Sequence, residues 1–220
     1  MNMKYNSVIF DMDGLMFDTE ALSTKAWLHV GEVLKIHLPV AFINSFKGMP
    51  AKYSKVLFQE RFGQDFDYDS ARQMRTEYMM SYMRTYGVPI KEGLKELLVY
   101  LKEHGIKVAL ATSSTQSYAQ WLLEETGVKP YFDVMIFGDS IKTGKPEPEI
   151  FLTACKQLKE SPCQCTVLED SPIGVEAAYK AGCQVFIVPD QIKFTENELV
   201  KVDRCFNSLG EVLQYFRTNI

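Results

Sequence analysis

The 220-residue sequence has no apolar run long enough to cross a bilayer, so a helical membrane span is not expected. Its opening residues, MNMKYNS, have no apolar segment of the kind that directs secretion, and a cytoplasmic location is the expectation. There is no basic surplus either. Against 28 Asp and Glu stand 24 Lys and Arg, a formal charge of −4, which gives no footprint for nucleic acid or an anionic membrane surface. The five cysteines, an odd number, argue against a disulfide framework. Cys163 and Cys165 could ligate a soft metal, but no second close pair and no nearby histidine completes such a site. No repeat or low-complexity tract is present. What is there is an ordinary globular composition, 46% hydrophobic, enough for one large domain or one domain with an insert. A small molecule is the expected partner, and a monomer the expected form.

The stretch Ser7 to Glu20, SVIFDMDGLMFDTE, organises the rest. Val8, Ile9 and Phe10 form the continuous apolar run of a strand covered on both faces. Asp11 and Asp13 stand where that strand should stop, and Gly14 supplies the permissive backbone of a sharp exit. In an open α/β sheet, ligands bind just beyond the carboxyl ends of the strands, so these carboxylates face the crevice where chemistry would happen. Asp and Gly are also ordinary turn formers, and the tetrapeptide alone decides nothing.

After Glu20 the pattern turns helical. Ala21 to Lys35 carries Leu22, Ala26, Val30, Val33 and Leu34 at helical spacing, and Pro39 opens a short second helix. A third helix is expected from Ala51 to Phe62 with Tyr53, Val56, Leu57 and Phe58 inside, and a fourth from Asp69 to Tyr86 with Met74, Tyr78 and Met83. This reads as a helical insert joined to the main sheet near Phe17 to Glu20 and Gly87 to Pro89, able to act as a lid. From Ile90 the chain alternates strand and helix, which implies a parallel sheet. Strand Ile106 to Ala111 ends in Thr112, Ser113 and Ser114 before a helix, a pattern that fits an anion site or simple N-capping. Strand Val134 to Phe137 leads to a loop carrying Lys145 into Pro146. Strand Thr166 to Leu168 delivers Glu169 and Asp170, repeating the opening design. A strand from Gln184 to Val188 and a helix from Ser208 to Phe216 complete the alternation.

Parallel strands put these ends on one edge. Carboxylates about 4 Å apart repel by about 4 kcal/mol at an effective dielectric near 20, so the cluster calls for a cation. Hard oxygen ligands select Mg²⁺, which takes one or two carboxylates plus substrate phosphate oxygens. The set suits phosphoryl transfer, where positioning and charge neutralisation do most of the catalysis.

FDMDG with DTE behind it, ALATSS, GKPEPEIF and VLEDSPIG follow in this order, each after its strand, and with them the chain resembles the haloacid dehalogenase superfamily along nearly its whole length. The resemblance implies a Rossmann-like parallel α/β core over residues 1–18 and 88–220, with an inserted α-helical cap domain over 19–87. It implies that Asp11 is the nucleophile and Asp13 the general acid and base, with Thr112 and Lys145 completing the catalytic set. Thr112, Ser113 and Lys145 would bind phosphate; Asp11, the main-chain carbonyl of Asp13, Asp170 and, assisting, Glu169 would hold Mg²⁺. Asp13 argues against dehalogenation, since the haloacid branch lacks this second acid. Thr19, Gly48 and Lys52 are the cap residues expected to meet substrate, with Ser23, Lys47, Met49 and Arg75 as further candidates. The insert resembles the smaller cap of the β-phosphoglucomutase and sugar-phosphatase branch. That branch's mutases carry a histidine where this chain has Ser23, and a substrate-binding arginine where it has Ala51 beside Lys52. Both departures favour hydrolysis of a small phosphomonoester over a mutase reaction.

Overall fold

In the computed structural model of the chain, residues 5–47, 49, 51–190 and 192–219 are described. The chain divides into two compact units, one of Met1–Phe17 with Ile90–Ile220, the other of Asp18–Pro89. Strand β1 (Ser7–Phe10) comes first and is buried along its whole length. The helical unit follows as α1 (Thr19–Leu34), α2 (Val40–Ser45), α3 (Ala51–Phe62) and α4 (Tyr68–Tyr86). The chain then returns through α5 (Leu94–Glu103), β2 (Lys107–Thr112), α6 (Gln116–Glu125), β3 (Val134–Phe137), α7 (Glu149–Leu158) and β4 (Cys165–Glu169). It ends with α8 (Pro172–Ala181), β5 (Gln184–Ile187), α9 (Glu196–Leu199), β6 (Arg204–Cys205) and α10 (Leu209–Asn219).

The strands form one Rossmann-like sheet in the order β3-β2-β1-β4-β5-β6, each neighbouring pair parallel. From β1 the chain builds outward to β3, then crosses back to lay β4 on the other side of β1. The order reverses there, which is where open α/β sheets bind their ligands. Phe10 pairs with Leu110 on one side and Leu168 on the other. The residues that follow β1 and β4 therefore leave the sheet at one level, and the Asp11 N–H donates to the Leu168 carbonyl at 3.0 Å.

Both faces of the sheet are covered. Ile9, Ala109, Val167 and Val185 pack with Phe151 and Ala154 of α7 and with Val175 and Ala178 of α8. The alternate residues Val8, Phe10, Leu110 and Leu168 are as fully buried, with α5 packed on β2 and α10 on α5. Burial on both sides is why these strands read as unbroken apolar runs.

The helical unit has its own core. Phe58 is fully buried and lies against the rings of Trp27, Phe42, Phe46, Phe66 and Tyr68, with centroids 4.9 to 5.5 Å apart. Aromatic pairs at such separations add about 0.5–1.5 kcal/mol each beyond their area. This cluster narrows the inner faces of two helices relative to expectation. Tyr53 and Val56 are 48% and 50% exposed, and the buried side of α3 is Ser54 and Phe58, one turn apart. In α1, Leu22, Ala26 and Val30 are buried as expected, joined by Trp27, whereas Val33 is 50% exposed and Leu34 is exposed too. Met83 is buried as expected, joined by Met79. All five cysteines are free. Among the described residues, no helix is long and apolar enough to cross a membrane.

Candidate active site

After β1 the backbone turns at once. Gly14 sits at φ +87°, a conformation that side-chain-bearing residues rarely adopt, and its N–H donates to the Phe17 carbonyl at 2.9 Å. A Cβ on Gly14 would lie 2.1 Å from Oδ2 of Asp170. The glycine is therefore needed for space as well as for the turn, because the Asp170 carboxylate occupies the room it leaves. Oxygens from Asp11, Glu169 and Asp170, all buried, lie within 4.8 Å of one another. Such a donor set, all carboxylate oxygen, fits a hard divalent cation and not a soft one.

Lys145 enters from the loop after β3, and its peptide bond to Pro146 is cis. Its side chain is 3% exposed, donates to Oδ1 of Asp11 and donates to Oε1 of Glu169 at 2.6 Å. The Phe151 ring of α7 lies 5.0 Å from the ammonium and covers it on another side. Burial disfavours the ammonium, but the facing Asp11 and Glu169 carboxylates outweigh it and raise the lysine above its ordinary value. For Asp11 the balance goes the other way. Burial pushes its carboxyl up to about 7, assisted by the Glu169 charge and opposed by Lys145.

Glu169 is completely buried and its oxygens are taken up by protein donors. Oε1 accepts from Lys145; Oε2 accepts from the Asp170 and Ser171 amides at 3.0 and 3.1 Å and from the Ser171 hydroxyl at 2.9 Å. Ser171 is also the N-cap of α8, accepting from the Gly174 N–H at 3.2 Å with Pro172 in the first turn. One serine thus starts the helix and anchors the acid.

Thr112 is buried at the tip of β2, and its Oγ1 accepts from the Ser114 N–H at 3.0 Å. Ser113 is exposed. The Ser114 hydroxyl donates to Oδ2 of Asp13 at 2.7 Å. The start of α6 is not capped by this hydroxyl run. Thr115 makes no side-chain cap, and both Asp139 oxygens accept from the Gln116 N–H, at 3.2 and 3.1 Å. Of the two readings the TSS run allowed, N-capping of this helix passes to an acid far along the chain.

The structure thus brings Asp11, Asp13, Thr112, Lys145, Glu169 and Asp170 to neighbouring strand tips of one unit, with Ser113 beside Thr112 in the chain. Thr19, which is buried, and Lys52, which is exposed, belong to the helical unit, and Gly48 lies outside the described residues. In the helical unit Arg75 donates to the Ser23 hydroxyl from Nη2 at 2.6 Å and from Nε at 3.2 Å. The sequence left unassigned the parts of Ser171 and Gly174; the Ser-Pro-x-Gly run after an acidic pair is the capping signal that would have found them.

A Cβ on Gly174 would come within 1.8 Å of Glu169 Oε1, so Gly174→Ala must displace the acid that holds Lys145. The expected cost is about 1–3 kcal/mol of stability from overpacking, with the lysine's partner shifted. Gly210→Ala is the control, since its Cβ meets only the Ser208 hydroxyl at 3.4 Å in α10. Urea unfolding of both variants is the check, and a Gly174→Ala protein as stable as Gly210→Ala would contradict the packing described.

The family model for haloacid dehalogenase-like hydrolases matches residues 8–188. A phosphorylated carbohydrates phosphatase of Thermotoga maritima is 35% identical over 217 residues, covering 94% of this chain and 99% of the relative. A β-phosphoglucomutase of Bacillus subtilis is 30% identical over 182 residues, 80% of each chain. The crystal structure of a β-phosphoglucomutase from Clostridium difficile superposes with a TM-score of 0.82 at 24% identity, covering 98% of this chain and 96% of that one, a likeness of fold. The chain belongs to the haloacid dehalogenase-like hydrolase family.

Proposed function

We propose that the chain is a Mg²⁺-dependent phosphatase acting on a small phosphorylated sugar or similar metabolite through an aspartyl-phosphate on Asp11. The observation that carries the reading is the buried Lys145 ammonium shared by Asp11 and Glu169 at the tips of adjacent strands. An Asp11 oxygen attacks phosphorus as the bond to the leaving alcohol breaks, and Asp13 gives that alcohol's oxygen a proton. Asp13 then takes a proton from water, which attacks the same phosphorus and releases phosphate and the Asp11 carboxylate. The Thr112 hydroxyl, the Ser113 amide and the Lys145 ammonium hold the phosphoryl oxygens while this happens. Asp11, Asp170 and the Asp13 carbonyl, with Glu169 assisting, would hold Mg²⁺, whose charge when bound offsets the repulsion between carboxylate and phosphate. The helical unit serves substrate selection, through Thr19, Gly48 and Lys52.

A phosphosugar mutase is the second reading, favoured by the likeness to the Bacillus subtilis β-phosphoglucomutase. Against it stands Ser23, whose hydroxyl accepts from Arg75 and offers no group that titrates near neutrality, at a position where the mutases place a histidine.

Release of inorganic phosphate from a panel of sugar phosphates with Mg²⁺, with and without glucose 1,6-bisphosphate, separates the two. Phosphate release that needs no bisphosphate is expected, falling at least about a thousandfold in Asp11→Asn. Isomerisation without phosphate release would overturn the phosphatase reading.

The raised Asp11 carboxyl gives a second expectation. Between its ordinary 3.8 and about 7, the folded metal-free protein keeps a proton that the unfolded chain has lost, so this group makes stability fall as pH rises through that window. A cation at Asp11 competes with the same proton. Its apparent affinity is expected to rise with pH up to about 7, by at most about tenfold per unit, and to level off above. Calorimetric Mg²⁺ titrations between pH 5.5 and 8 check this, and an affinity independent of pH across that range would contradict it.

A further inference from the structure

We infer that Ser114 is a positioning residue for the proton-transferring carboxylate of Asp13, a role that rests on the phosphatase reading and adds a residue to it. Ser114 lies just beyond β2, 101 residues from Asp13, and the two meet only because β1 and β2 are neighbours in the sheet. Its backbone is clamped on both sides. Its N–H donates to Thr112 Oγ1 at 3.0 Å, and its carbonyl accepts from the Gly138 N–H at 2.9 Å. Gly138 cannot carry a side chain there, since a Cβ would lie 2.2 Å from the Ser113 carbonyl oxygen. With the backbone fixed from β2 and β3 at once, rotation about Cα–Cβ is the freedom left to the Ser114 hydroxyl, and it is directed at Asp13 Oδ2 at 2.7 Å. A donor held in this way helps to orient the carboxylate through Oδ2. The Ser114 proton stays on its oxygen throughout. The proton that moves is the one Asp13 gives to the leaving oxygen and regains from water, so Ser114 acts through Asp13 and not on the substrate.

A general acid matters most when the leaving group is a poor one. An alkoxide needs its proton as the bond to phosphorus breaks, whereas p-nitrophenolate leaves without one. The test compares kcat/KM for p-nitrophenyl phosphate and for an alkyl phosphate, such as a sugar phosphate turned over by the wild type, in Ser114→Ala and Ser114→Thr. Ser114→Ala is expected to lose about tenfold more on the alkyl ester than on the aryl ester, mostly in kcat. Ser114→Thr, which keeps the hydroxyl, is expected to restore the ratio. Turnover of the aryl ester by the same preparation shows that the variant has folded. Equal losses on both esters would overturn the role in favour of direct phosphate contact or general disruption, and so would an unchanged ratio. A wild type inert toward both esters would overturn the phosphatase reading and this role together; an active wild type with a failed ratio overturns the role alone.

Discussion

The buried ammonium of Lys145 is the constraint around which the rest of the site is built. A cation this far from water is tolerated only with its charge matched, and the match comes from Asp11 and Glu169. The two acids are not equivalent partners. Glu169 has its oxygens taken up by protein donors, which makes it the fixed end of the pair. Asp11 is the end whose protonation lies within reach of neutral pH, because burial and the Glu169 charge work against the single ammonium. Glu169 therefore holds and Lys145 aims, while Asp11 is left as the group poised to change state. Removing Lys145 would leave two buried carboxylates with no ammonium between them, and breaking a buried pair in this way costs about 3–5 kcal/mol.

Such density of charge is possible only because the backbone withdraws around it. Gly14 leaves room for the Asp170 carboxylate, Gly174 for that of Glu169, and Gly138 for the Ser113 carbonyl. The sheet supplies the rest. Parallel pairing of β1 with β2 and β4, with Phe10 opposite Leu110 and Leu168, brings tips separated by more than a hundred residues to one level. The position of Asp11 against Glu169 is thus a consequence of how Phe10 pairs with Leu168.

What could be read in the residues, and what could not, follows the same physics. The runs around Val8–Phe10, Val108–Ala111 and Val167–Leu168 announce buried parallel strands because both faces are covered, and it is the recurrence of acids and hydroxyls after several such runs, rather than any one of them, that marks the sheet edge. The inner faces of α1 and α3 were legible only in part: Leu22, Ala26, Val30 and Phe58 turn in as the spacing predicts, while Val33, Leu34, Tyr53 and Val56 do not. Both helices carry apolar residues around much of their circumference, and the ring cluster about Phe58 decides which side turns in. The two-residue strand β6 has no alternation to betray it, and both its residues are exposed. Nor could local pattern assign the cap of α6 to Asp139, or the partner of Asp13 to Ser114, since each bond joins segments that only the sheet brings together.

That Asp11 takes the phosphoryl group is the claim on which this account turns. Its most direct measure is an acid quench during turnover of a phosphate ester with Mg²⁺, then borohydride reduction, which converts an aspartyl-phosphate to homoserine, and peptide mass spectrometry. The account predicts homoserine at position 11 and at no other acid. Homoserine at another aspartate, or none under steady turnover, would contradict it.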